Sequence, residues 1–207
     1  MRIILISDTH KKHENVILPV GDLIIHAGDV SSRGTYGEIL NFLHWFKNLP
    51  YKHKIFIAGN HDFMLDQNPP LDSSNFPDGI TYLENSIVEI QGLSIYGSPY
   101  TPEFYNWAFM KKRGEEIRKI WDLIPSKLDI LITHGPPYSI LDQNVEGTMC
   151  GCEELLKKVK EVQPKIHVFG HIHESYGMVE EGGTKFYNAS LLNDEYRLRN
   201  APIVIEL

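Results

Sequence analysis

Short aliphatic and β-branched runs recur along the chain, and several stop abruptly at a cluster of polar residues. Residues 2–7, 22–27 and 54–58 read as buried strands, because a strand covered on both faces is apolar at consecutive positions. Residues 129–133 and 165–169 have the same character. Between them, residues 35–49 carry Ile39, Leu40, Phe42, Leu43 and Phe46 at helical spacing, and Pro50 stops the run. Residues 111–123 and 153–162 predict two more helices, ended near Pro125 and Pro164. Residues 68–79 are rich in Pro, Asp, Ser and Asn and predict a long loop; short strands follow at 81–83, 87–90 and 94–96. Residues 176–179 and 185–188 flank a Glu-Glu-Gly-Gly stretch and predict a hairpin, with a last strand at 202–206. No linker or repeat divides the pattern, so one domain over 1–207 is expected. Its class would be α/β, with mixed strands in two packed sheets and helices outside.

Composition narrows the function. The 207 residues are 42% apolar and 23% charged, which fits a globular chain and excludes wholesale disorder. A net charge of -7 argues against general nucleic-acid or anionic-membrane binding, which need clustered Lys and Arg. No run approaches the roughly 18 apolar residues of a membrane span. The first apolar run meets a charge too soon for a signal peptide, so a cytoplasmic location is expected. Cys150 and Cys152 exclude a disulfide framework and lack the C-x-x-C spacing of redox sites; a structural role is expected for them.

The ten histidines are the informative excess. Five strand-like runs end in hard-metal donors: Asp8-Thr9-His10, Gly28-Asp29, Gly59-Asn60-His61-Asp62, Thr133-His134-Gly135 and Gly170-His171-Ile172-His173. Side chains at i and i+2 of an extended segment point the same way, so Asp8 with His10, and His171 with His173, could aim into one site. The adjacent glycines permit close backbone approach. One such ending is weak; five in one chain point to a metal site.

The set resembles the calcineurin-like metallophosphoesterases, whose pattern D-x-H, G-D, G-N-H-[DE], His, G-H-x-H stands here in order from Asp8 to His173. Residues 23–29, 57–62, 133–137, 168–174 and the tail (188–190 and 202–205) are similar to the branch containing the brain metallophosphoesterase-domain proteins and bacterial relatives. The resemblance implies a β-sandwich with helices on both faces. It implies one metal held by Asp8, His10, Asp29 and His173, a second held by Asp29, Asn60, His134 and His171, and Asp29 bridging them. Mixed N and O donors without thiolate suit two divalent transition-metal ions, manganese first, with iron, zinc or nickel as alternatives. The expected reaction is attack on phosphorus by a metal-bridging hydroxide. His61 is the catalytic residue the resemblance implies at the leaving group, its ring oriented by Asp62 or a backbone carbonyl. The larger phosphatases carry an Asp three positions after the bridging Asp; this chain has Ser32 there.

Other residues attract plainer expectations. His13 reads as an exposed loop residue, with contact to a phosphate oxygen or an outer water as the alternative, His26 as a hydrogen-bonded core residue, and His44, His53 and His167 as structural or surface residues. Tyr100, Phe104, Tyr105 and Trp107 could stack a base-sized ring or cover a core edge. Asn106, Tyr138 and Ile140 could line the pocket, and residues 111–113 read as a solvated helix face. The expected function is a phosphodiesterase acting on a small phosphate ester, such as a cyclic nucleotide or aryl diester. The alternatives are a phosphomonoesterase or protein phosphatase and, from another class, an inactive metal-binding scaffold.

Overall fold

The computed structural model describes residues 1–67 and 69–207. The expected loop at 68–79 starts at the one residue outside them; its remainder is irregular apart from one 3-10 turn, Ser73–Asn75. In chain order the strands of the first half are β1 (Arg2–Ile6), β2 (Leu23–Ala27), β3 (His53–Ile57), β4 (Thr81–Tyr82), β5 (Ser86–Ile90) and β6 (Leu93–Ser98). Then come β7 (Thr101–Pro102), β8 (Met110–Lys111), β9 (Ile130–Thr133), β10 (Ile166–Phe169), β11 (Gly177–Glu181), β12 (Thr184–Asn188) and β13 (Ile203–Glu206). The helices are α1 (Tyr36–Asn48), α2 (Glu115–Trp121) and α3 (Glu153–Val162).

Two sheets pack face to face. One has the order β13-β1-β2-β3-β4, the other β11-β12-β10-β9-β6-β5. In the first, β1 to β4 are parallel and β13 runs against β1. In the second, β6, β9, β10 and β12 are parallel and the two edge strands are antiparallel. Alternation along the strands divides the apolar side chains. Ile3, Leu5, Ile25 and Ile57 meet Ile95, Ile130, Ile132 and Val168 between the sheets. Ile4, Ile24 and Phe56 turn outward under Ile39, Phe42 and Phe46 of α1. Tyr96, Leu131 and Phe186 turn outward under Trp121 of α2 and Leu155 of α3. The expected sandwich with helices on both faces is therefore found, and its double coverage explains why the strands read as unbroken apolar runs.

Local signals set the boundaries. Thr35 accepts from the Glu38 amide and Glu38 reaches back to Thr35, a capping box that starts α1. The hairpin turns at Gly182-Gly183, both at positive φ (61° and 86°), joining β11 to β12. One helix is shorter than expected. Gly114 (φ 82°) breaks the 111–123 pattern, so α2 begins at Glu115 while Met110 and Lys111 pair with β7. Residues 111–113 are consequently not a helix face. Arg113 instead donates to the carbonyls of Gly151 (2.8 Å) and Cys150 (2.9 Å) and pairs with Glu153 at 2.6 Å.

Candidate metal centre

Parallel strands release their carboxyl ends at one edge of each sheet, and the two edges coincide. β1 delivers Asp8 and His10, β2 delivers Asp29, β3 delivers Asn60 and His61, β9 delivers His134, and β10 delivers His171 and His173. All eight side chains converge. Three clusters have mutually close donor atoms: Asp8 with His10 and His173, His10 with Asp29 and His61, and Asp29 with His134 and His171. Asn60 joins the last through Oδ1, 2.9 Å from His134 Nε2. Asp29 Oδ2 lies 3.3 Å from His134 Nε2, 3.6 Å from His10 Nε2 and 4.0 Å from His61 Nε2. Asp8 Oδ1 stands 3.3 Å from His173 Nε2.

The convergence does not come from extended strand ends. Asp8 (φ 54°), His10 (φ 39°), Asp29 (φ 56°) and His171 (φ 69°) occupy the left-handed region, which is rare for residues with a Cβ. The chain turns sharply as it leaves each strand, and those turns swing the side chains together. Such strain gathers at functional sites, where surrounding bonds hold it in place. Here Asp8 N bonds Gly28 O (3.0 Å) and His10 N bonds Asp29 O (3.1 Å). His61 N donates to Asp29 Oδ1 (2.8 Å), and His171 N donates to Asp8 Oδ2 (3.0 Å).

Each of four imidazoles has its Nδ1 on a backbone carbonyl: His10 on Ser31 (3.1 Å), His61 on Ser32 (2.8 Å), His134 on Ala27 (2.9 Å) and His173 on Asn193 (3.0 Å). A carbonyl only accepts, so Nδ1 carries the proton and Nε2 is the atom turned to the other donors. His10 Nε2 is buried without a hydrogen-bond partner. Buried imidazole lone pairs around two buried carboxylates leave negative charge to be met by a cation, so the donor set fits divalent metal. Without a cation, protons take that place. Burial disfavours charge on His134 and His173, but Asp29 beside the first and Asp8 beside the second outweigh it and raise both to about 9. Burial pushes His10 down to about 4 and His171 down to about 3. Burial alone would raise Asp8 and Asp29; the surrounding imidazoles hold both below the usual carboxylate range.

Residues around the centre adjust several expectations. Asp62 does not reach the His61 ring. It is buried and accepts from the amides of Val30 (3.2 Å), Ser31 (2.9 Å) and Gly59 (2.8 Å) and from Ser31 Oγ (2.6 Å), tying the β2 and β3 loops together. Burial and the nearby Asp29 charge raise it to about 6. The carbonyl of Ser32, at the position where larger phosphatases carry Asp, orients His61 instead. His13 is buried, not exposed, bonded to Asn41 Oδ1 (2.9 Å) and packed on Trp45. His26 and His167 are buried and bond Thr9 Oγ1 (2.9 Å) and Thr133 Oγ1 (2.8 Å), the residues beside three of the metal candidates. Ile140 packs in the core under the second sheet, and neither it, Tyr138 nor Asn106 lines the cavity. Cys152 is buried and accepts from Trp121 Nε1 (3.3 Å). Tyr196 was not signalled by the sequence at all; its ring lies 5.0 Å from that of His10 and 5.2 Å from that of His173.

A profile of the calcineurin-like phosphoesterases matches residues 1–175, which include every residue of the three clusters. The chain belongs to the calcineurin-like phosphoesterase family. Metallophosphoesterase domain-containing protein 1 of Homo sapiens is 41% identical over 230 residues, covering all of this chain and 71% of that protein. A UPF0046 protein of Caenorhabditis elegans is 35% identical over 217 residues, covering 99% of this chain and 74% of that protein. Among solved structures, phosphopantetheinyl hydrolase from Mycobacterium tuberculosis superposes with a TM-score of 0.60 over 94% of this chain and 90% of its own, at 17% identity; that likeness concerns the fold. Family membership together with the His/Asp clusters makes the chain a metal-dependent phosphoester hydrolase. Among the described residues, no helix is long and apolar enough to cross a membrane.

Proposed function

We propose that the protein is a phosphodiesterase that cleaves small diesters, such as cyclic nucleotides or aryl esters, at a two-cation centre. One observation carries the reading: Asp29 belongs to two of the three donor clusters, with Oδ2 facing imidazoles of both. A carboxylate so placed suits a bridge. Asp8, His10, Asp29 and His173 would hold one ion, and Asp29, Asn60, His134 and His171 the other, with manganese the first candidate and iron, zinc or nickel also compatible with the mixed N/O donor set. When bound, such a pair supplies Lewis acidity that lowers the pKa of water and takes up charge on phosphoryl oxygens.

The chain's own residues bind, orient and protonate. His61 is fixed by Ser32 O on one side and by the Trp107 ring, 4.2 Å away, on another. Its Nε2 faces the centre and, when protonated, can donate to the leaving oxygen. The cavity also favours diesters over monoesters. Its lining includes one cationic side chain, Arg113, which is already paired with Glu153. No free Arg or Lys among the described lining residues meets the second negative charge of a monoester.

The test is to strip the protein with chelator, reload it with single metals, and assay monoesters against diesters, including 2′,3′- and 3′,5′-cyclic nucleotides. Faster diester turnover supports the reading. Preference for monoesters would overturn the diesterase assignment, and silence with every metal and ester would favour a metal-binding scaffold.

A further inference from the structure

The centre opens into a cavity of about 700 Å³, far more room than a phosphate group needs. Its outer walls are aromatic. Phe104 sits 5.5 Å from the His171 ring, Trp107 4.2 Å from His61, and Tyr196 5.0 Å from His10, measured between ring centroids. The rings thus stand over both halves of the centre. Phe104 and Tyr196 are 48% and 45% exposed, although large aromatics favour burial. Their positions are imposed. Tyr196 takes a left-handed backbone (φ 57°) in a turn closed by Tyr196 N to Asn193 O (2.8 Å), and Lys12 Nζ donates to its carbonyl. Phe104 and Trp107 lie in the loop held between β7 and β8. Charge at the mouth is acidic: Glu174 and Asp194 line it, while Arg113 is neutralised by Glu153.

We infer that Phe104, Trp107 and Tyr196 form a subsite for a flat ring on the substrate's organic group, and that Glu174 and Asp194 restrict the substrate to a single phosphate. This deepens the phosphodiesterase reading and rests on it. A ring on the ester group that stays on phosphorus meets these aromatic side chains and exchanges water for stacking or edge contacts. A second phosphate on the same molecule meets two carboxylates, and the one Lys or Arg among the described lining residues, Arg113, is already paired with Glu153, so it is repelled. The preferred substrate class is an ester with one phosphate and a neutral, ring-bearing group. Polyphosphates, oligonucleotides and multiply phosphorylated peptides are disfavoured.

The test uses p-nitrophenyl diesters, which share one leaving group while the other group varies. The metal-loaded protein should show a kcat/KM ratio for the phenyl over the methyl diester of at least about tenfold, after division by the ratio of uncatalysed rates. Phe104→Ala and Tyr196→Ala should each lower that ratio about fivefold, and Tyr196→Phe should keep it. Thymidine 5′-p-nitrophenyl phosphate should exceed its 3′-phosphorylated form about tenfold at low salt, and Asp194→Asn should narrow the gap. A ratio near one in the wild type, or one unmoved by both alanine variants, would overturn the ring subsite. Equal rates with and without the 3′-phosphate would overturn the single-phosphate rule. Calorimetry with phenylphosphonate and methylphosphonate separates this inference from the reading beneath it. Tighter phenylphosphonate binding that weakens in Tyr196→Ala supports the subsite even if no diester is cleaved, and equal affinities count against it.

Discussion

Gly170 stands immediately before His171, and the space beside it is already taken. A Cβ at this position would lie 2.0 Å from Asp8 Oδ2 and 2.2 Å from Ser7 Oγ, where ordinary contact begins at 3.4 Å. Gly170→Ala therefore obliges the Asp8 carboxylate to retreat by about 1.4 Å or the β10 loop to lift by as much. Neither is free to move. Asp8 Oδ2 accepts from Ser190 Oγ (2.9 Å, buried) and His171 N (3.0 Å, partly buried), and bonds to a carboxylate are worth about 1.5–3 kcal/mol each. Losing one of them, or overpacking a tight interior, destabilises by roughly 1–3 kcal/mol. For a chain of this size that lowers Tm by roughly 2–12 °C. Displacing Asp8, a proposed ligand, should also weaken metal binding at least as much as losing a supporting bond does, roughly 10–100-fold. Thermal unfolding of the chelator-stripped variant, followed by calorimetric titration with manganese, reads both effects. Gly37→Ala is the control, because a Cβ there meets nothing within 4 Å and should change neither affinity nor stability adversely. If Gly170→Ala keeps wild-type Tm and metal affinity, the packing argument for the centre is wrong.

Three further outcomes are expected. Asp29→Asn should abolish turnover and cut metal content, read by elemental analysis; full loading with normal activity would refute the bridge. His61→Ala should lower kcat by about 10²–10⁴-fold while metal stays bound; an emptied site would instead make His61 a ligand, as its closeness to His10 and Asp29 permits. His134 and His173, raised to about 9 in the metal-free protein, stabilise that state fully below pH 6.5 and lose the effect as pH rises through 9. Cations must expel those protons, so at pH 7.5 loading should release about two per protein and tighten as pH rises toward 9; calorimetry in buffers of different ionisation heat giving no release would contradict this.

Strand cores and metal candidates were legible because each announces itself by residue type. Five apolar runs ending in Asp, Asn or His mark both the parallel strands and the residues they deliver. The geometry behind the i, i+2 argument was not legible. Asp8 and His10 converge through left-handed turns, which residue type at those positions does not signal. The supports of the imidazoles were hidden for a different reason. Ser31, Ser32, Ala27 and Asn193 act through main-chain carbonyls, which every residue possesses. His13 was misread because its burial depends on Asn41 and Trp45 of α1, partners about 30 residues away that no local pattern reveals. Gly114 broke a helix that the apolar spacing alone extended to residue 111.

The centre also bears on how the two sheets hold together. Apolar contact between Ile3, Ile25, Ile130 and Val168 is non-directional, so it favours packing without fixing how far one sheet slides over the other. The polar bonds at the site do fix it. Asp8, at the end of β1 in the first sheet, accepts from Ser190 and His171 N of the second. His134, at the end of β9 in the second, donates to Ala27 O of β2 and meets Asp29 and Asn60. Leu191 N, just past β12, completes the seam on Ser7 O (3.0 Å). Every cluster of donors that includes Asp8 or His134 therefore draws residues from both sheets. A cation held by such a cluster links the sheets as well as serving the reaction, and its binding free energy adds to that of the fold. The strained turns are held in two ways: bonds between loops of the first sheet fix His10 and Asp29, and bonds across the sandwich fix Asp8 and His171, so the donors are set before any cation arrives.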